Sequence, residues 1–189
     1  MKSQSQTTPV PDAGANLPER AEAAVAIVHA AGPEESVLLM RRTSRDGDPW
    51  SGHWSFPGGR REEGDRDLLD TALRELYEEC GVRLERNQLE ARLAVKHAGQ
   101  HNGRLVLVAP FLFRLDACCP IVPDPEEAAE CLWLPLSEVR DAARHLANAV
   151  PGLPGGRQVS GIPLNGEPLW GFTYRVLCDW LGVAMPDGM

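Results

Sequence analysis

Apolar runs and turn-forming residues alternate along the first third of the chain. Ala23-Ala24-Val25-Ala26-Ile27-Val28 and Val37-Leu38-Leu39-Met40 flank a Gly32-Pro33 break and read as two strands joined by a turn. From Arg41 to Gly52 the apolar pattern gives way to Asp, Gly, Pro and Arg, which predicts a loop leading to a sharp turn at Phe56-Pro57-Gly58-Gly59. Beyond it the period lengthens. Leu68, Leu69, Ala72, Leu73, Leu76 and Cys80 recur at helical spacing and define one apolar face. Asp65 or Asp67 can cap that helix at its start, and Gly81 can end it in the left-handed conformation.

The pattern continues with strands at Leu89 to Val95 and Leu105 to Leu115, joined through the polar segment His97 to Arg104. The second of these is almost wholly apolar, as expected of a strand buried on both faces. Asp124 to Glu127 reads as a loop and Glu130 to Leu134 as a short strand. Ser137 is placed to cap a helix running through Ala147, with Leu136, Val139, Ala143 and Leu146 inward. Val150 to Gly166, rich in Gly and Pro, predicts a loop, and Leu169 to Leu181 a closing helix. Strands and helices mix without strict alternation, giving an α/β (α+β) fold with a mixed sheet between helices. The expected organisation is a flexible leader over residues 1–20, one domain over 21–182 and a tail over 183–189.

The helix after the glycine turn also carries an acidic face. Glu75, Glu78 and Glu79 stand at i, i+3 and i+4 and project together. Like charges at that spacing repel by about 0.2–0.5 kcal/mol per pair, and no Lys dilutes them. Such a cluster suits a hard cation that takes oxygen ligands and bridges to phosphates, Mg2+ or Mn2+.

Composition narrows the partners. The chain has 189 residues, 43% of them hydrophobic, enough for one domain with an ample core. A net charge of −8 argues against a broad surface for a nucleic-acid polymer. It is compatible with a small anionic nucleotide, because a bound divalent cation inverts the local sign. The five cysteines show no ligand-like Cys-X-X-Cys pair and no obvious disulfide framework, so reduced thiols in a cytoplasm are expected. No run of eighteen apolar residues suggests a membrane span.

The stretch Arg74-Glu75-Leu76-Tyr77-Glu78-Glu79-Cys80-Gly81-Val82 resembles the second half of the Nudix hydrolase signature, Arg-Glu-apolar-X-Glu-Glu-X-Gly-apolar, at every position. The first half departs from it: Asp65 replaces Glu, and eight residues rather than seven separate it from Arg74. That spacing, with Phe56 to Gly59 and Thr71 to Glu75, is similar to the branch containing coenzyme A pyrophosphatases. Trp50 stands two residues before Gly52, where that branch usually carries His.

The resemblance implies a Nudix α/β/α sandwich and a metal-dependent pyrophosphatase that cuts a nucleoside diphosphate linked to another group, with coenzyme A or a derivative first. It implies Glu75, Glu78 and Glu79 as metal ligands, joined by a backbone carbonyl from Gly58 or Gly59, with Arg74 orienting the glutamates. The general base is Glu75 or a later-loop glutamate, Glu126, Glu127 or Glu130, of which Glu127 is chosen. Arg41, Arg42, Arg45 and Arg60 are candidates for phosphates, and Trp50 for stacking on a base. ADP-ribose, nucleotide sugars and nucleoside triphosphates are alternative substrates. A non-catalytic nucleotide-binding regulator is the alternative class, and loss of a glutamate would have favoured it. Dimers are common in the family.

Overall fold

The computed structural model describes residues 21–45, 50–101, 104–149 and 158–186. The expected leader therefore lies outside the described residues, as do 187–189 of the tail. Val183 is drawn back against the last helix by donating its backbone N–H to Cys178 O at 2.8 Å.

One large mixed sheet forms the frame. Its strands are β1 (Ala23–Ala30), β2 (Ser36–Arg42), β3 (Trp54–Ser55), β4 (Gly58–Arg60), β5 (Leu89–Arg92), β6 (Lys96–His101), β7 (Arg104–Leu115) and β8 (Ala128–Pro135). β7 runs parallel to β1 along its full length, from Ala23 opposite Val108 to Ala30 opposite Leu115. On its other side it pairs antiparallel with β5 and β6. As expected, β7 feeds both faces of the sheet: Ala109, Phe111 and Phe113 join one core cluster and Leu112 the other.

The helix α1 (Leu68–Cys80) covers the first face and buries Leu69, Ala72, Leu76 and Cys80 against Ala24, Ala26 and Val28. Asp67 is its N-cap, accepting from Leu69 N and Asp70 N, and Gly81 ends it at φ 68°. The opposite face packs against α2 (Leu136–Arg140), α3 (Gly171–Leu181) and a small antiparallel sheet of β9 (Leu146–Ala149), β10 (Gln158–Leu164) and β11 (Glu167–Trp170). The result is the expected mixed sheet sandwiched between helices.

Several boundaries differ from the expectation. Arg41 and Arg42 end β2 rather than open a loop, because β8 pairs with them at Glu130 and Ala128. The polar segment after His97 belongs to β6, held at the sheet edge by β7. The helix expected from Ser137 through Ala147 stops at Arg140, and Pro135 rather than Ser137 is at its N-cap. Asp141 then caps a short 3-10 turn by accepting from Ala143 N, and β9 follows. Leu136 and Val139 are buried as expected, but Ala143 and Leu146 are exposed. The stretch expected to be loop to Gly166 contains β10, whose pairing with β11 turns at Asn165-Gly166. Leu169 lies on β11, so the closing helix begins only at Gly171.

The arrangement of β1 and β2 creates the site. They pair only at His29 opposite Val37 and Ala30 opposite Ser36. Toward the start of β1 the two strands separate, and β4 fills the place beside β1, with Val25 opposite Gly58 and Ala24 opposite Gly59. The glycine turn is thereby wedged into the split, directly beneath the acidic side of α1.

Candidate active site

Glu79 is the deepest of the acidic residues, with 2% of its surface exposed. Gly58 N–H donates to its Oε2 at 2.7 Å. Arg42 stands on the other side, with Nη1 4.0 Å from Glu79 Oε1. Burial raises the Glu79 carboxyl to about 8 against the pull of Gly58, and the charges of Glu75 and Glu127 push it the same way. Glu75 is raised too, chiefly by desolvation and less by Glu78 and Glu127, while Arg74 opposes the shift. Glu75, Glu79 and Glu127 therefore share one electrostatic site, although the last comes from a loop far along the chain.

The glycine turn permits this crowding. A Cβ on Gly59 would meet Glu75 Oε1 at 2.3 Å, and one on Gly58 would meet Ala24 O at 2.3 Å. Gly58 also has φ 156°, unfavourable for a side chain. The Gly59 position is open to Glu75 only because it has no side chain.

Arg74 organises the carboxylates at the rim. Its Nη1 donates to Glu75 Oε1 at 2.9 Å and to Glu78 Oε2 at 2.8 Å, and its Nη2 reaches Arg60 O at 3.1 Å. Glu78, the outermost of the three, has a side chain 51% exposed. Asp65 is buried behind Arg74 and takes the hydroxyl hydrogen bond of Thr71 at 2.9 Å. Asp65 thus supports Arg74 instead of capping the helix, the cap being Asp67.

The remaining candidates divide. Glu127 pairs with Arg45 at 3.2 Å, and Arg45 also donates to Glu126 O at 2.7 Å. Glu130 is committed elsewhere: it pairs with Arg41 at 3.3 Å and accepts from Asn165 Nδ2 at 2.6 Å, tying the β10–β11 turn to β8. Arg60 is exposed beside Gly59. Trp50 packs against the small cluster of Ala23, Val106 and Val108, and His53 sits edge-on to Trp170 at 5.1 Å. The Glu130–Asn165 link joins residues 35 apart and leaves no local trace in the sequence, although Asn-Gly is a strong hairpin-turn signal that marks where β10 reverses.

The donor set fits a hard divalent cation. Burial raises both Glu75 and Glu79, the charge of Glu127 pushes each further the same way, and the groups that could ligate an ion there are carboxylate and backbone oxygens. Among the described residues no three such side chains already cage an ion, and Arg74 engages two of the carboxylates.

Residues 20–153 match the family model of the NUDIX domain. This chain belongs to that family. Nudix hydrolases generally use divalent metal ions. The chain is 34% identical over 109 residues to an uncharacterized Schizosaccharomyces pombe protein, covering 54% of this chain and 32% of that protein. It is 31% identical over 125 residues to the uncharacterized Nudix hydrolase NudL of Yersinia pestis, covering 65% of this chain and 59% of NudL. The chain thus spans about a third and about three-fifths of these two relatives. Among solved structures, a MutT/nudix family protein from Enterococcus faecalis superposes with TM-score 0.60 at 18% identity, over 91% of this chain and 62% of that one. The NUDIX domain of Shewanella oneidensis NrtR, solved with ADP ribose, superposes with TM-score 0.50 at 20% identity, over 62% of this chain and 73% of that one. These likenesses establish the NUDIX fold. No described helix is long and apolar enough to cross a membrane.

Proposed function

We propose that this protein is a metal-dependent hydrolase of phosphorus anhydrides, cutting the diphosphate of a nucleotide joined to a second group. The observation that carries this reading is Glu79: a buried carboxylate, sharing its cleft with Glu75 and Glu127, against a glycine turn that has no side chains to shield it. A cation of high charge density would displace the proton that burial favours on Glu79 and would also attract an anionic substrate.

In this reading Glu75, Glu78 and Glu79 would hold Mg2+ or Mn2+ together with the Gly59 carbonyl. The metal supplies charge neutralisation and a more acidic bound water. Arg74 orients Glu75. Glu127 would take the proton from the attacking water, since its charge acts on both Glu75 and Glu79; it pairs with Arg45, whereas Glu130 is held by two groups, Arg41 and Asn165. Arg41, Arg42 and Arg60 line the approach for phosphates, and Trp50 offers an aromatic face beyond them. The expected setting is cytoplasmic.

Coenzyme A or a derivative is the first-choice substrate, supported by the Phe56 to Gly59 turn, the Thr71 to Glu75 run and the arginines that can meet a 3′-phosphate. Coenzyme A, its dephosphorylated form, ADP-ribose, a nucleotide sugar and a nucleoside triphosphate, each assayed with Mg2+ and with Mn2+, test the reading. We expect coenzyme A to give the highest kcat/KM. Preference for ADP-ribose by about tenfold, roughly 1.4 kcal/mol, overturns the substrate and leaves the reaction class standing. Inactivity on the whole panel overturns both.

A further inference from the structure

The cysteines have no part in that chemistry, yet the fold brings two of them together. Cys80 ends α1 and Cys131 lies within β8, 51 residues later, and their sulfurs stand 3.6 Å apart. Both are free thiols. Cys80 is fully buried, whereas Cys131 is partly exposed. A disulfide places its sulfurs about 2.05 Å apart, so closing this pair takes a movement of about 1.5 Å.

We propose that Cys80 and Cys131 form a redox pair that a peroxide closes to a reversible disulfide, and that closure slows turnover at the neighbouring acidic site. Cys131, the reachable thiol, attacks the peroxide. A sulfur–oxygen bond forms, the oxygen–oxygen bond breaks, and the departing oxygen leaves as water, or as alcohol from an organic peroxide. Cys80 then attacks the sulfenic sulfur. The sulfur–sulfur bond forms and the hydroxyl leaves as water with the Cys80 proton. The two thiols give up two electrons and two protons, which reduce the peroxide. Transient disulfides of this kind in a reducing compartment serve as sensors.

The connection to the site is direct in the backbone. Glu79 precedes Cys80 and holds Gly58 N–H at 2.7 Å. The carbonyls of Glu79 and Cys80 are themselves fixed by Asp124 N at 3.2 Å and Val122 N at 2.9 Å. Glu130 precedes Cys131 and holds Arg41. Drawing the sulfurs together therefore pulls the last turn of α1 toward β8 and moves Glu79 against its glycine partner. The effect on turnover rests on the hydrolase reading; the cross-link does not.

The full chain, reduced, freed of reductant and treated with hydrogen peroxide, is to be mapped by mass spectrometry of its peptides. The expected product is a Cys80–Cys131 cross-linked peptide, two hydrogens lighter than its parts, that dithiothreitol reverses. Cys131→Ser, a near-isosteric change at a partly exposed position, should lose the cross-link, and Cys80→Ala should leave a sulfenic acid on Cys131. Turnover of the oxidised wild type should fall about tenfold or more, the scale on which small displacements of catalytic groups act, and recover with dithiothreitol. Peroxide should leave Cys131→Ser turnover unaffected. Oxidation confined to Cys118 and Cys119, or overoxidised Cys131 without a cross-link, overturns the pair. A complete cross-link with undiminished turnover overturns the coupling. A cross-link in a protein inactive on every diphosphate upholds the pair and counts against the hydrolase reading.

Discussion

Asp65 grips Arg74 through both carboxylate oxygens, Oδ1 receiving Nε at 3.1 Å and Oδ2 receiving Nη2 at 3.1 Å. That fork leaves Nη1 aimed at Glu75 and Glu78. The hydrogen bonds from Arg74 bring the Asp65 carboxyl down to about 2 against the opposing effect of burial. A carboxyl lowered on folding contributes stability above its unfolded value, here 3.8, and loses it as pH falls from there through about 2. Asp65→Asn should therefore be less stable than wild type by roughly 1.5–3 kcal/mol near neutral pH. The gap should shrink as the pH drops below about 3. Urea midpoints across that range check it, and an equal gap at both ends would show that Asp65 acts through shape alone.

Glu79 titrates in the opposite sense. Its folded value lies near 8 and its ordinary value at 4.5, so the stability it allows is fully present below 4.5 and is lost as pH rises through 8. Thermal midpoints of the metal-free protein should fall across that window, and those of Glu79→Gln should fall less. Saturating Mn2+ should raise the wild-type midpoint most at the alkaline end, because binding needs the ionised carboxylate. An unchanged slope in Glu79→Gln assigns the pH dependence to another group.

Turnover should separate the two adjacent glutamates less than their burial does. Glu78 is exposed and Glu79 buried, yet both are assigned to the metal. Glu78→Gln and Glu79→Gln should each keep the fold and lose two decades or more of kcat, about 1.4 kcal/mol per decade. Both variants retaining activity within about threefold of wild type in saturating Mg2+ would remove the ligand assignment.

How far the sequence reached depended on whether the signal was local. The α1 helix was legible, with Asp67 one of its two candidate caps and Gly81 its end, because cap, apolar spacing and terminal glycine lie within one short segment. The acidic face was legible for the same reason. Long-range contacts were not. Nothing near Glu127 distinguishes it from Glu126, and only the return of the loop at Asp124 to α1 brings it toward Glu75. β10 was hidden by Gly161 and Pro163, residues that usually mark loops, yet a Cβ on Gly161 would press on Leu169 O at 2.5 Å. There the glycine serves strand packing. The His145 ring, bonded to Tyr174 Oη at 2.7 Å and to Val139 O at 2.8 Å, explains why the expected helix ends early: a buried side chain reaches across to α3.

The two glycines of the turn make the final prediction, because the same substitution should fail in two different ways. At Gly58 an added Cβ meets backbone, Ala24 O at 2.3 Å and Val25 Cα at 2.7 Å, at a positive φ. Backbone can yield only by unpairing β4 from β1, so Gly58→Ala should lower the thermal midpoint markedly and reduce activity with it. At Gly59 the Cβ meets the end of a side chain, Glu75 Oε1 at 2.3 Å and Cδ at 2.6 Å. That carboxylate can swing aside, so Gly59→Ala should keep most of its stability while losing turnover by about a hundredfold, the cost of displacing a reacting group by roughly 1 Å. The lost activity should act through Glu75. In a Glu75→Gln background, Gly59→Ala should therefore cost far less than it does alone, a non-additivity expected of residues in contact. Full additivity in that cycle would mean that Gly59 serves the reaction independently of Glu75, through its own carbonyl.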